Sequence, residues 1–358
     1  MARFIARRLL VTIPVLLGLV FVVFSLARII PGDPCRAVLG ERATDAVCND
    51  FIVRYGLDQP IPVQFVLYVE QLSHGDLGTS IKHSRPVTEL LIERLPTTIE
   101  LTLMALLFAI VIGIPLGLLS AYRRNSPIDV GSMIIANIGV SMPVFVLGLL
   151  LQFLFALLLK GTPLALPPSG RLSSGVEVLS LVEVWHLESV TGAVRGVLDF
   201  VSRLYIPTAL ITGQWGALGD ALRHLLLPMI ALGTIPLAII ARITRSSLLE
   251  VLGLDYVRTA RAKGLRERSV VLRHATRNAL LPVVTIVGLQ LGGLLSGAVL
   301  TETTFNLAGV GRTVFEAITG RDYVVIQGFT LIIAVTYVMV NLLVDLSYGI
   351  LDPRVRQR

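Results

Sequence analysis

The sequence predicts an all-α polytopic membrane protein with six transmembrane helices. Three observations carry this. Of its 358 residues, 54% are hydrophobic and 15% charged, where a soluble domain carries roughly 25% charged residues. Apolar runs recur at about 20 residues, the length that crosses a core roughly 30 Å thick at a rise of about 1.5 Å per residue. The arginines gather between those runs rather than inside them, as cationic residues do on the cytoplasmic side of a bilayer.

The runs lie at residues 9–30, 98–121, 131–159, 225–244, 280–301 and 325–350. The first follows Arg3, Arg7 and Arg8, as in a signal peptide. Its apolar stretch is long and no small-x-small cleavage pattern precedes Pro31, so it is read as a retained span, with cleavage as the alternative. With six spans, these arginines, Arg123 and Arg124, the segment between runs four and five, and Arg354, Arg356 and Arg358 all share one side. Both termini are therefore expected in the cytoplasm. Residues 31–97, 160–224 and 302–324 then face outward, and 31–97 holds nine acids against six bases. Residues 199–216 are apolar but contain Arg203 and Pro207. A seventh span there would move the main basic segment outside, so a re-entrant or interfacial segment is expected.

The chain divides into residues 1–95, one span with a polar external segment, and 96–350, a five-span core. The core has an enlarged external connection at about 160–224. Residues 351–358 form a cytoplasmic tail. Cys35 and Cys48 both fall on the external segment. A disulfide between them is expected in an oxidising compartment, contributing about 3 kcal/mol, with two unpaired thiols as the alternative.

The interiors 101–121, 131–159, 225–241, 280–301 and 325–344 contain no Asp, Glu, Lys, Arg or His. Ion-coupled carriers need a titratable or ion-coordinating group at depth, and channels more often show a charged ring or filter loop. A solute moved uphill therefore needs energy from another subunit. The sequence has no GxxxxGK[ST] phosphate cradle, HExxH, CxxC or GxSxG, so no catalytic constellation is visible. His74 and His83 lack the spacing of metal ligands. The net charge of +7 lies beside apolar segments without aromatic interleaving, which favours membrane lipid over nucleic acid.

One polar block stands out. Between Arg242 and Arg277 lie nine Lys/Arg against Glu250, Asp255 and Glu267. Asp255 to Lys263 suits a short helix with Val257 and Ala260 on one side and Arg258 and Arg261 exposed. Gly264 permits a turn. Arg266 to Asn278 reads as a second amphipathic stretch, with Val270, Val271, Leu272 and Ala275 on its apolar side. Leu280, Leu281 and Pro282 then enter the fifth span, with the proline in its first turn. A short helix bent at a glycine and tied to spans at both ends can transmit a push, and needs a partner surface to settle it. The plainer alternative is a basic turn resting on anionic lipid.

The segment Tyr256 to Pro282, YVRTARAKGL followed by RHATRNALLP, resembles the EAA-type coupling loop of bacterial ABC importer permeases. More narrowly it resembles the dipeptide/oligopeptide/nickel group of type I importers. PGDP at Pro31–Pro34, YGLDQP at Tyr55–Pro60, GDLGTS at Gly75–Ser80, RLPTTIELT at Arg94–Thr102 and LDPR at Leu351–Arg354 extend the resemblance, in matching order, over essentially the whole chain. The glutamate of the EAA name is absent, with Arg258 in its place, a form common in the peptide subgroup. The resemblance implies the type I permease fold, a second and related permease subunit, cytoplasmic ATP-binding subunits carrying ATP and magnesium, and an external solute-binding protein. It implies a docking loop of Asp255, Tyr256, Arg258, Thr259, Ala260, Lys263 and Gly264, supported by Arg273, Arg277 and Asn278. The implied cargo is di- or oligopeptides, with nickel complexes and oligosaccharides sharing the pattern. An independent carrier or channel, or a non-transporting scaffold, are the readings from other classes. The sequence identifies no solute-binding residues.

Overall fold

The computed structural model describes residues 2–29, 35–36, 40, 43–54 and 56–351. The Pro31–Pro34 motif, Tyr55 and the tail beyond Leu351 lie outside the described residues. Among those residues the regular structure is helical, joined by turns and irregular connections, and the β pairing is a single isolated bridge, Thr79 to Pro86.

Helix α1 (Ala2–Ile29) leads to α2 (Asp45–Arg54) and α3 (Ile61–Ser73). Phe24 of α1 is buried edge-on against Phe65 of α3, with ring centroids 5.1 Å apart. Cys35 and Cys48 are joined by a disulfide with Cα atoms 5.3 Å apart, in a small cluster with Phe51. Helix α4 (Val87–Tyr122) has 36 residues, roughly 54 Å at a rise of 1.5 Å per residue. It runs unbroken through residues 95 and 96.

Helix α5 (Pro127–Ser141) is capped by Ser126, whose hydroxyl accepts from the Asp129 N–H. Helix α6 (Val144–Gln152) runs on as a π-helical turn, Phe153–Leu158. Short helices α7 (Leu181–Val184), α8 (Gly192–Ser202) and α9 (Tyr205–Ile211) follow. A capping box of Ser180 and Glu183 starts α7. Helix α10 (Trp215–Leu252) has 38 residues. Helix α11 (Asp255–Ala262) is short. Helix α12 (Glu267–Ser269) passes into a π-helical turn, Val270–Ala275, and then α13 (Thr276–Gly297). The chain closes with α14 (Val299–Thr304), α15 (Val310–Thr319) and α16 (Tyr323–Leu351).

The core sits between α4 and α10. Leu101, Ala105 and Ala109 pack with Leu227, Ala231 and Ile240, joined by Val283, Phe305 and Leu307. A Cβ at Gly233 would lie 2.6 Å from the Ala105 carbonyl oxygen, so the missing side chain lets the two backbones approach. A second cluster joins Val87, Leu90 and Leu91 to Val310, Ala317, Val325 and Phe329.

Among the described residues, four helices are long and apolar enough to cross a membrane: Val87–Tyr122, Trp215–Leu252, Glu267–Leu295 and Tyr323–Val344. A fifth span results if α5 and the α6 segment count as one, although they are bent by 102°. The run at 131–159 is thus broken rather than continuous. Pro143 has no N–H to continue the α5 ladder, and the residue before a proline disfavours helical backbone. The fourth run lies inside a helix that starts earlier, at Trp215. The stretch Arg266 to Asn278 is no separate segment, because its helical turns lead directly into α13. Pro282 therefore sits inside α13 and not in a first turn. Residues 199–216 fold as the end of α8, α9 and the start of α10, with a turn at Gly213.

Candidate functional site

The basic block forms an elbow between α10 and α13. Helix α11 is amphipathic because Val257 and Ala260 are three residues apart, one turn of the same face. Both are buried, in a cluster with Ala121 of α4, Leu248 and Val251 of α10, and Val270, Val271, Ala275 and Ala279. Ala260 is thus turned into the chain's own core, so its face of α11 is a seat and not a presented surface. Gly264 has a φ of +74° and open space where a Cβ would be. Backbone conformation, not crowding, favours glycine there.

The outward side carries the charge. Asp255 pairs with Arg258 at 3.4 Å, both largely exposed. Thr259 donates its hydroxyl to the Asp255 carbonyl at 3.0 Å. Tyr256 is exposed, and its hydroxyl accepts from the Asn278 side chain at 2.8 Å, tying α11 to the start of α13. Lys263, Arg266, Arg268, Arg273 and Arg277 are exposed and make no ion pair among the described residues. Leu254, Leu265 and Leu272 are exposed beside them. Leu272, expected on the apolar side, is 52% exposed. The π-helical turn spanning Val270–Ala275 holds Val270, Val271 and Ala275 inward and leaves Leu272 outward.

Two residues outside the expected set complete the elbow. Arg261 donates to both carboxylate oxygens of Glu267, at 3.1 and 2.8 Å, closing the turn around Gly264. The Glu267 carboxylate holds the Arg261 guanidinium above its usual pKa. The pair also suits the helix dipoles, with a cation in the last turn of α11 and an anion in the first turn of α12.

Buried polar groups lie elsewhere on the same helices. Beside the elbow, Asp129 of α5 accepts from Arg245 of α10 at 2.7 and 2.8 Å and from Ser120 of α4. Toward the other end of α4, Glu302 is 0% exposed. Its carboxylate accepts from the Thr98 hydroxyl at 2.6 Å and the Arg312 N–H at 2.9 Å. Thr98 in turn accepts from the Val310 N–H at 2.8 Å. Burial pushes the Glu302 carboxyl up to about 7, against the Thr98, Arg312 and Gly311 donors and the Arg312 charge, which favour ionisation. The signal that could have found Glu302 was an acid placed directly after an apolar run. Its partner, 204 residues earlier, carries no such mark.

Among the described residues, no group of three or more His, Cys, Asp or Glu is arranged to hold a metal ion. Apart from the elbow, the surface has a shallow open hollow lined by Ile134, Asn137, Ile138, Ser141, Met142 and Pro143 at the break between α5 and α6. The elbow thus presents charge on one side and is packed through Val257 and Ala260 onto α4 and α10 on the other.

Comparison with known proteins bears on what the chain is. Residues 113–357 match the family described as the binding-protein-dependent transport system inner membrane component. Residues 1–102 match the N-terminal part of the same kind of component. The chain belongs to this family. It is similar to the dipeptide transport system permease protein DppB of Alkalihalophilus pseudofirmus, 46% identical over 99% of this chain and 100% of the relative. It is 44% identical to the DppB of Escherichia coli K12, over 100% of both chains. The di/tripeptide transport system permease protein DppB of Pseudomonas aeruginosa is likewise 44% identical over 100% of both. This inner membrane component is a multi-pass permease subunit of an ABC importer, and not itself an enzyme.

Proposed function

We propose that the chain forms half of a translocation path for di- and oligopeptides and is driven through the elbow by a separate ATPase. The observation that carries this is the two-sided construction of α11. Its inward face is seated on both central helices, its outward face carries exposed Tyr256 and the paired Arg258 and Arg261, and the flanking chain adds Lys263 and Arg266, without an ion pair among the described residues, and exposed Leu254 and Leu265. Asp255, Tyr256, Arg258, Thr259, Lys263 and Gly264 form the docking element, Ala260 its inward anchor, and Arg273, Arg277 and Asn278 its support. ATP and magnesium bind on the partner ATPase. The printed names of the relatives support peptide as cargo.

In this reading α1 supplies the sixth span, both termini are cytoplasmic, and the elbow lies on the cytoplasmic side. A second, related permease subunit completes the path. A solute-binding protein delivers cargo to the outer face, which includes residues 31–97, 160–224 and 302–324. The Cys35–Cys48 disulfide suits that oxidising side.

The test is purification of the assembled complex from the membrane, followed by uptake of labelled dipeptide in vesicles. Co-purification with ATPase subunits and ATP-dependent uptake, lost in Gly264→Val, are expected. Flux through this chain alone without ATP would overturn the reading. Uptake of nickel complexes or oligosaccharides in place of peptide would overturn the cargo assignment alone.

A further inference from the structure

Helix α4 meets two distant segments of the chain within one turn, and both meetings are buried. Thr98 grips the α14–α15 hairpin, donating to Glu302 and accepting from Val310 N–H at the start of α15. Glu100 grips the connection that follows α6. It accepts from Arg171 at 2.6 Å and from the Ile206 N–H of α9 at 2.5 Å. Arg171 also donates to the Arg203 carbonyl at 2.9 Å and lies over the Tyr205 ring, 3.7 Å from its centroid. Thr98 and Glu100 are both under a tenth exposed.

A buried polar network is rigid when every member is satisfied, and costly when one member is removed and its partners are left unpaired. Here the contacts are satisfied at both grips. The cavity between Glu100, Arg171, Tyr205 and Ile206 measures about 10 Å³, room for about one water. These residues therefore hold structure and receive no solute.

We propose that Thr98 and Glu100 are positioning residues that fix two outer segments to one helix, the α8–α9 connection and the α14–α15 hairpin. They thereby set the surface offered to the solute-binding protein. This rests on the orientation and partners proposed above. Helix α4 also reaches the elbow, where Ala121 packs with Val257 and Ala260. From Thr98 to Ala121 is 23 residues, roughly 35 Å of continuous helix at 1.5 Å per residue. The joint and the elbow are thus two ends of one strut.

The experiment uses the full complex in nanodiscs, with Thr98→Val, Thr98→Ser and Glu100→Gln. The first readout is the concentration of solute-loaded binding protein that gives half-maximal ATPase stimulation. Thr98→Val is expected to raise it roughly fivefold or more, a typical coupling between distant sites, with unchanged basal hydrolysis. Thr98→Ser keeps the hydroxyl and should match wild type. An assembled Thr98→Val complex with wild-type half-saturation overturns the proposal. The second readout is amide hydrogen exchange, which needs no ATPase and covers the case in which Thr98→Val does not assemble. Glu100→Gln should speed exchange in residues 199–214 and leave 299–319 unchanged. No change, or an equal change in both segments, overturns the proposal. A wild-type complex without any hydrolysis would count against the proposed function alone.

Discussion

The elbow and the Thr98–Glu100 joint sit on the same helix but are held by opposite physics. The elbow rests on an apolar seat of Val257, Ala260, Leu248 and Val270, and its polar contacts are exposed ion pairs such as Arg261–Glu267. The joint is polar and buried, with Glu302 and Thr98 directly hydrogen-bonded. Apolar contacts are non-directional and tolerate small sliding, whereas a buried hydrogen-bonded network has one satisfied arrangement. The difference bears on the proposed function. In that account the elbow is the end that moves against α4 and α10, and the joint is the end that holds its arrangement.

The sharpest way to break this comparison is Glu302→Ala. It strands the Thr98 hydroxyl and the Arg312 N–H in a buried site, at a cost of about 3 kcal/mol or more. Thermal unfolding of the purified complex should show a clear loss of Tm. An unchanged Tm would mean that the joint is not rigid.

The next effect is a pH dependence. Folding raises the Glu302 carboxyl from its usual 4.5 to about 7, so the folded state holds this proton more tightly than the unfolded one. Stability from this group is present below about pH 4.5, falls as pH rises toward 7, and is level above. Arg312 is the charge that favours ionisation. Glu302→Gln should remove that part of the slope in a Tm-against-pH series, while equal slopes in both proteins would contradict the assignment.

At the elbow, Val257→Ala removes two methyl groups from the seat and costs about 1–2 kcal/mol. Uptake should fall more steeply than Tm, because the loss is confined to a contact that transmits force. A proportionate fall in both would erase the contrast between the two ends. The smallest effect is expected for Arg261→Gln, since the pair with Glu267 is more than a third exposed on both sides and is worth under about 1 kcal/mol. Its effect on ATP-dependent uptake should shrink further at high salt.

Much of the fold was legible in the sequence because spanning helices announce themselves by length and charge. The elbow was legible too, since Val257, Ala260 and Gly264 follow local helical spacing. The break at Pro143 was readable in principle, as proline removes a ladder donor, yet the apolar run masked it. The continuity from Glu267 into α13 was hidden because the charge pattern of Arg266 to Asn278 looks like a surface stretch. The Glu302–Thr98 and Glu100–Arg171 contacts join residues 204 and 71 positions apart. No periodicity in a single chain links such partners, and only the packing of α14 and the α6–α10 connection onto α4 brings them together.

The most direct test of the central claim uses a single cysteine at Lys263, an exposed position in the elbow, and a membrane-impermeant maleimide. Labelling is expected in inverted vesicles and not in intact cells, and assembly with the ATPase subunits should protect the site. Labelling from outside intact cells, or equal labelling of inverted vesicles with and without those subunits, would contradict the account.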